Sequence, residues 1–369
     1  MDPLRPYNEL KPISELNIEE NRALFQLVEE TRVAIELLNY EMKSLPSPSI
    51  LVDTLALQEA KASSHIENIV TTNDDLYRGI VFDNFTAEAK EVANYKEALF
   101  AGFASLAERG ILSVGDIERI NRHVNTKQPG VRVNLPGFES SYTRIANVTG
   151  GQTEILYTPP HGKELLNRHL LNLLEYIYND DLYPIHPLVK IALAHYQFEM
   201  IHPFYDGNGR TGRILNILFL CNKGYLSYPV LYASSYIIRS KNDYYRLLRQ
   251  CGQNDSYTPM IEYMLHSFQQ TARKTLAVVN EIKRLIGQYT DEAFLGQLKG
   301  HEKVLKLVVE VIFRKVYVRI DDLVEVGVHR QTAASYLKQL VDKGLLQEER
   351  LHRDKVFKNV ELLKLFEGE

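Results

Sequence analysis

At 369 residues, with 45% hydrophobic and 24% charged side chains, the chain is long enough for more than one domain and ordinary in composition for a globular protein. A formal net charge of -4 argues against polyanion binding by the molecule as a whole, and two cysteines, Cys221 and Cys251, are too few for a disulfide framework. Met1-Asp2-Pro3-Leu4-Arg5-Pro6 runs into no apolar core and the most apolar stretch, Ile214 to Cys221, is too short to span a bilayer, so a soluble, cytoplasmic protein without a membrane role is expected.

Residues 1 to about 110 read as helices. Asn17 is a candidate cap, with Glu20 three residues on to complete a capping box. Leu24, Leu27, Val28, Val33, Ile35, Leu37 and Leu38 then recur at roughly helical spacing. Leu45-Pro46-Ser47-Pro48 breaks this helix, and a second is predicted from about Ile50 to Ile69. Residues 111 to 285 are predicted mostly helical too. The exception is 130 to 158, where Asn147-Val148-Thr149-Gly150-Gly151-Gln152 reads as a hairpin turn between Tyr142-Thr143-Arg144-Ile145 and Ile155-Leu156-Tyr157. Pro159-Pro160 ends the second strand because proline cannot donate to a ladder.

A third block starts near His301. Val304 to Arg314 is helical, Ile320 to Glu325 is a short helix ended by Gly327, and His329 to Lys343 is a longer one closed by Gly344. Leu345 to Phe357 alternates like a two-stranded wing, which makes a winged-helix order. The polar segment Gly287 to Glu292 is a plausible boundary. The expected division is 1–110, 111–285 and 300–369.

The chemistry concentrates in His202-Pro203-Phe204-Tyr205-Asp206-Gly207-Asn208-Gly209-Arg210-Thr211-Gly212-Arg213, between apolar helices at Leu188 to Ile201 and Ile214 to Cys221. His202 can take a proton near neutral pH. Asp206 is a hard oxygen ligand suited to Mg²⁺. Gly207-Asn208-Gly209 permits a tight turn whose N–H groups meet a helix N-terminus, an anion cradle. Arg210 and Arg213, three apart in the next helix, can clamp separate phosphates. The alternative in which His202 ligates zinc with His195 or His186 has neither H-E-x-x-H spacing nor a cysteine pair.

The segment 202–213 fits H-P-F-x-[D/E]-G-N-G-R-x-x-R at every defined position and so resembles the signature of Fic-domain proteins. The resemblance implies an all-α Fic core with a small β-hairpin flap, carrying a C-terminal winged helix-turn-helix. It implies a nucleotidyltransferase, a protein adenylyltransferase that moves AMP from ATP to a Tyr, Thr or Ser hydroxyl of a target protein or of itself. On that basis His202 deprotonates the hydroxyl, Asp206 holds Mg²⁺, and Gly207, Asn208, Gly209, Arg210, Thr211, Gly212 and Arg213 meet the nucleotide, with Phe204 anchoring the loop. Ile155, Leu156 and Tyr157 resemble the flap that docks a target segment by strand-like contacts. Leu135-Pro136-Gly137-Phe138 and Arg144 resemble the stretch before it, and Tyr244 and Tyr245 resemble the aromatics bordering the adenine.

Ser63-Ser64-His65-Ile66-Glu67-Asn68 resembles the family's inhibitory motif [S/T]-x-x-x-E-[G/N]. The motif implies that Glu67 reaches Arg213 through a bidentate bond and removes the γ-phosphate's partner, with Ser63 on the same helix face. Removal of AMP by the same pocket is a second direction. A different class of function, a DNA-binding regulator, rests on Arg330, Gln331, Thr332, Ser335 and Lys338 of the candidate recognition helix and on Arg350, Arg353, Lys355 and Lys358 of the wing. Against it, residues 301–369 hold 13 Lys and Arg against 12 Asp and Glu, nearly neutral. A homodimer is left open.

Overall fold

The computed structural model describes residues 2–45, 48–82, 84–128, 130–133, 142–149, 152–231, 233–351 and 354–367. The first helices are α1 (Arg22–Lys43), α2 (Ser49–Ile66), α3 (Asn73–Phe82), α4 (Ala87–Arg109) and α5 (Val114–Val124). Asn21 rather than Asn17 caps α1, its side chain accepting from the Leu24 N–H at 2.9 Å. That cap lies three residues before the first buried leucine of the helix itself, where the orphan N–H groups are. Leu24, Leu27, Val28, Ile35 and Leu38 are buried, whereas Val33 and Leu37 are exposed, because 100° steps carry them to the solvent face. Helix α2 stops at Ile66, three residues short of the expected end, and Asn68 takes a positive φ of 62°.

The strands β1 (Ile145–Thr149) and β2 (Gln152–Tyr157) pair antiparallel, with Val148 opposite Thr153 and Thr149 opposite Gln152. The expected turn over 147–152 is therefore shorter: β-branched Val148 and Thr149 favour the extended backbone and extend the ladder. Gly150 and Gly151, like Leu135 to Phe138, lie outside the described residues.

Next come α6 (Lys163–Tyr178), α7 (Pro187–Ile201), α8 (Asn208–Asn222), α9 (Ala233–Arg239), α10 (Lys241–Asn254) and α11 (Thr258–Thr290). Every residue of α7 from Leu188 to Ile201 is buried, including Lys190, His195, Gln197 and Glu199. Apolar residues all round make it the central helix, flanked by α6, α8 and α11. Helix α8 is buried almost as completely. It comes close to α4 because a Cβ at Gly102 would lie 2.4 Å from Leu218. The polar loop of the sequence is thus held between the two most buried helices. Helix α1 lies along α11, with Thr31 donating to the Leu265 carbonyl at 3.3 Å and Gln269 to Glu30 at 3.0 Å.

The C-terminal part comprises α12 (Glu292–Leu295), α13 (Glu302–Ile312), β3 (Tyr317–Val318), α14 (Ile320–Glu325), α15 (Arg330–Asp342), β4 (Leu346–Leu351), β5 (Asp354–Asn359) and α16 (Val360–Glu367). Its antiparallel sheet has the order β3-β5-β4. The three predicted helices and the hairpin are all present, as α13, α14, α15 and the β4–β5 pair; α12, the two-residue β3 and α16 are additions. The expected boundary over 287–292 is mostly helix, since α11 runs on to Thr290 and a single glycine costs a helix only about 1 kcal/mol. Among the described residues no helix is long and apolar enough to cross a membrane, and Cys221 and Cys251 remain separate thiols.

Candidate active site

The chain leaves α7 at His202, which ends that helix in the left-handed conformation at φ 46°, its N–H on the Phe198 carbonyl at 3.0 Å. A non-glycine residue there carries strain of about 1–3 kcal/mol that its surroundings must hold. Arg132, 1% exposed, does so. Its Nε donates to the His202 carbonyl at 2.7 Å, its Nη2 to the carbonyls of Ile201 at 3.2 Å and of Pro160, and its backbone N–H to Pro203 at 2.9 Å. One buried guanidinium therefore ties the end of α7, the loop and the end of the flap. Burial pulls that guanidinium down to about 10. Arg132 was not among the sequence candidates, because a lone arginine 70 positions away from the loop gives no local signal.

Phe204 is fully buried, and Asn208 staples it: Oδ1 accepts from the Phe204 N–H and Nδ2 donates to its carbonyl, both at 2.8 Å. The amide of Asn208 is thereby used within the loop, leaving its backbone at the start of α8. Gly207 has φ 77°, and a Cβ there would meet Val124 at 2.9 Å; no other residue type fits both demands. Asp206 projects into solvent, with 71% of its side chain exposed, and Arg210 approaches it at 3.6 Å. Arg210 turns towards α4, where it pairs with Glu91 at 3.0 Å. Thr211 faces α5, accepting from Asn121 at 3.2 Å, and Gly212 packs against Phe198 and Glu199 of α7.

Arg213 turns the other way, towards α2. Its Nε donates to Ser63 Oγ at 2.8 Å, and its Nη2 to the Ser63 carbonyl at 2.9 Å and to Glu67 Oε1 at 2.8 Å. The expected bidentate bond is thus a single-oxygen contact, because Ser63 already takes Nε and shares Nη2. Burial pushes the Glu67 carboxyl up, but the charge and hydrogen bond of Arg213 outweigh it and hold the group below its ordinary value. A Cβ on Gly209 would fall 2.4 Å from Glu67 Oε1. The carboxylate therefore lies against the first turn of α8, where unpaired N–H groups and the helix dipole attract an anion.

These groups open onto one pocket. His202, Gly209, Arg213 and Glu67 form its polar end; Ile145, Leu156 and Tyr157 of the hairpin cover one side; Tyr244, Tyr245 and Leu248 of α10 line another. Ile155, Gly207, Asn208, Arg210, Thr211 and Gly212 are not on its wall. Tyr157 is fixed by its hydroxyl on the Met200 carbonyl at 2.9 Å. Tyr244 is buried, its hydroxyl 2.8 Å from His195, whose other ring nitrogen meets Asn216 at 3.0 Å. That engagement takes His195 away from His202. His186 caps α7, so no zinc pair forms, and among the described residues no cluster of three metal-ligating side chains exists.

Burial and the charge of Arg132 push His202 down to about 4, partly offset by Glu67, so the imidazole is neutral at pH 7 with Nδ1 unpartnered. Glu199, one turn earlier on α7, also lines the pocket with Oε1 unpartnered, and burial raises it to about 7. It too was missed from sequence, since a glutamate in an apolar helix reads first as a surface residue.

Family models match three stretches: the Fic/DOC family N-terminal model at 25–104, the Fic/DOC family model at 111–220, and the protein adenylyltransferase SoFic-like C-terminal domain model at 303–362. The chain belongs to the Fic/DOC family. It is 32% identical over 121 residues to "Protein adenylyltransferase Fic" of Drosophila mojavensis, covering 32% of this chain and 23% of that one. It is 27% identical over 157 residues to "Protein adenylyltransferase fic-1" of Caenorhabditis elegans, covering 42% and 27%. The matches thus span about a quarter of those relatives' length. Among solved structures, a Fic family protein from Desulfovibrio desulfuricans G20 shares the fold with a TM-score of 0.57 at 21% identity, over 95% of this chain and 99% of that one. Fic-1 from Caenorhabditis elegans gives 0.53 at 20% identity, over 70% and 74%.

Proposed function

We propose that this Fic/DOC-family chain is a protein adenylyltransferase that transfers AMP from ATP to a hydroxyl side chain of a target protein, itself included, and that Glu67 inhibits it. The observation that carries the reading is the pocket end where a neutral imidazole, the first turn of α8 and the Arg213 guanidinium converge. In this reading His202 takes the proton as the target oxygen attacks the α-phosphorus, and the bond from that phosphorus to the departing pyrophosphate breaks. Gly209 and the α8 N-terminus hold phosphate oxygens. Arg213 receives the terminal phosphate once Glu67 lets go of it. Tyr244 and Tyr245 flank the base, and the strand at Ile155, Leu156 and Tyr157 offers main-chain groups to the target segment.

Asp206 fits a Mg²⁺ site of the kind whose remaining ligands are phosphates and water: one exposed, hard carboxylate beside an anion cradle. A bound Mg²⁺ would neutralise developing phosphate charge. The reading assigns inhibition to residues 1–110, catalysis to 111–285 and docking to 300–369, in a cytoplasmic protein.

The test is intact-mass analysis of Glu67→Gly protein after incubation with ATP and Mg²⁺. One or more AMP adducts are expected, absent from Glu67→Gly/His202→Ala. A Glu67→Gly protein that labels neither itself nor any protein in a lysate overturns the reading.

A second activity, duplex DNA binding by residues 300–369, is favoured by the exposed Arg330, Gln331, Ser335 and Lys338 on α15. Pairing of Arg330 with Asp321 and of Lys355 with Glu348 consumes cations that phosphates would need, which favours a protein partner. Retardation of random duplex at low salt, lost at high salt, would establish DNA binding.

A further inference from the structure

Glu67 lies just outside the helix that delivers it. Helix α2 ends at Ile66, Glu67 is its C-cap, and Asn68 follows in the left-handed conformation at φ 62°. The place of the carboxylate therefore depends on what holds the chain after α2, because a residue past the helical ladder frays unless something ties it down. Residues 68–72 lead directly into α3, which starts at Asn73. Asn73 accepts from Lys61 of α2 at 2.8 Å, and Gln58 of α2 donates to the Tyr77 hydroxyl of α3 at 3.1 Å. Helices α2 and α3 are thus tied to each other, with Glu67 at the bend between them.

The outer side of this pair is held by the C-terminal part of the chain, α13 to α16. Tyr317 of β3 is buried, donates its hydroxyl to Asp74 of α3 at 2.6 Å and sets its ring 6.0 Å from that of Tyr77. Arg78 pairs with the same Asp74 at 2.7 Å and approaches Glu349 of β4 at 3.7 Å. Phe366 of α16 lines one crevice with Gln58 and Ala62 of α2. The C-terminal part has its own attachment elsewhere, where Tyr289 of α11 meets the rings of Phe294 and Phe313 at 4.9 and 6.1 Å. Its contact with α2 and α3 is made at a few polar points beside an open crevice, with Leu57 and Tyr77 on one wall and Val316 and Tyr317 on the other. A contact of that kind can part while both sides stay folded.

We infer that docking of the C-terminal part on α3, through Tyr317 and Asp74, holds the Glu67 carboxylate on Arg213, and that undocking frees it. Undocking is then activating, a consequence that rests on the reading of Glu67 as the inhibitor of AMP transfer. By linkage, a partner that binds only the undocked C-terminal part shifts the chain towards transfer.

Tyr317→Phe removes one hydroxyl from the contact and keeps the ring, and Asp74→Asn removes the charge that Tyr317 and Arg78 share. In the full chain each should quicken amide exchange over residues 63–72 by about threefold or more, the scale of one lost hydrogen bond. Each should raise AMP transfer by a similar factor, and neither should raise it further in a Glu67→Gly background. Unchanged exchange at 63–72 overturns the inference, and so does quickening spread evenly over the chain, which is ordinary destabilisation. With Glu67→Gly active, faster exchange without faster transfer, or an equal rise with and without Glu67, also overturns it. An inactive Glu67→Gly protein whose exchange at 63–72 still responds to Tyr317→Phe defeats the transferase reading and supports the coupling.

Discussion

Glu67 Oε1 lies 2.8 Å from Arg213 Nη2, although 146 positions separate the two residues in the chain. The contact is one arm of a three-point hold, and Ser63 provides the other two. Ser63→Ala removes the Oγ acceptor but keeps the carbonyl and the Glu67 charge. A charge-assisted hydrogen bond contributes roughly 1.5–3 kcal/mol, or about tenfold and upward in an equilibrium. AMP transfer by Ser63→Ala should therefore rise several-fold over wild type, and remain below Glu67→Gly, when followed with radiolabelled ATP.

Arg132 touches the backbone of His202 rather than its ring, so its loss should act on geometry. Lysine cannot reproduce the fork that reaches the carbonyls of His202, Ile201 and Pro160 together. In a Glu67→Gly background, Arg132→Lys should lower kcat by on the order of tenfold to a hundredfold with the ATP KM little changed, because misplacing a reacting group costs rate before binding. A matching rise in KM would place Arg132 in nucleotide binding instead.

His202, held down to about 4, is already neutral across the physiological range. The transfer rate of Glu67→Gly should stay flat from pH 8 to pH 6 as judged by kcat/KM, without the fall near 6.5 that an ordinary histidine base would give. His202→Ala should cost at least about a hundredfold in rate while leaving the unfolding midpoint near that of the parent. An acid limb centred at 6.5 would show that the imidazole is solvated during turnover.

Glu199 is raised to about 7, above its unfolded value of 4.5. The folded state therefore binds more protons than the unfolded one between those values, and the residue's contribution to stability falls as pH rises from 4.5 through 7. Glu199→Gln carries no such dependence. The variant should gain stability relative to wild type as pH is raised from 5 to 8, by about 2 kcal/mol at the upper end, in urea unfolding at each pH. A difference independent of pH would mean that the carboxyl finds a partner in solution.

The helix-rich architecture and the loop at 202–213 were legible because both are local: apolar spacing over one helix, and twelve consecutive residues dense in chemistry. Even the breakpoints at Gly327 and Gly344 were legible, since a glycine ending a helix needs only its own backbone freedom. The short strand β3 escaped because two residues carry no period, and Asn21 displaced Asn17 as a cap by a contact only the folded helix reveals.

By itself the order of residues determined which groups would be chemically available, because side-chain type and helical spacing are properties of a stretch of chain. Tertiary structure alone decided which of them meet. It sent Arg210 to Glu91 and Arg213 to Ser63 and Glu67, put Arg132 beneath His202, and buried Glu199 unpaired beside the pocket. Those pairings join helices far apart in sequence, and burial, which sets the protonation of both His202 and Glu199, exists only once the helices have packed.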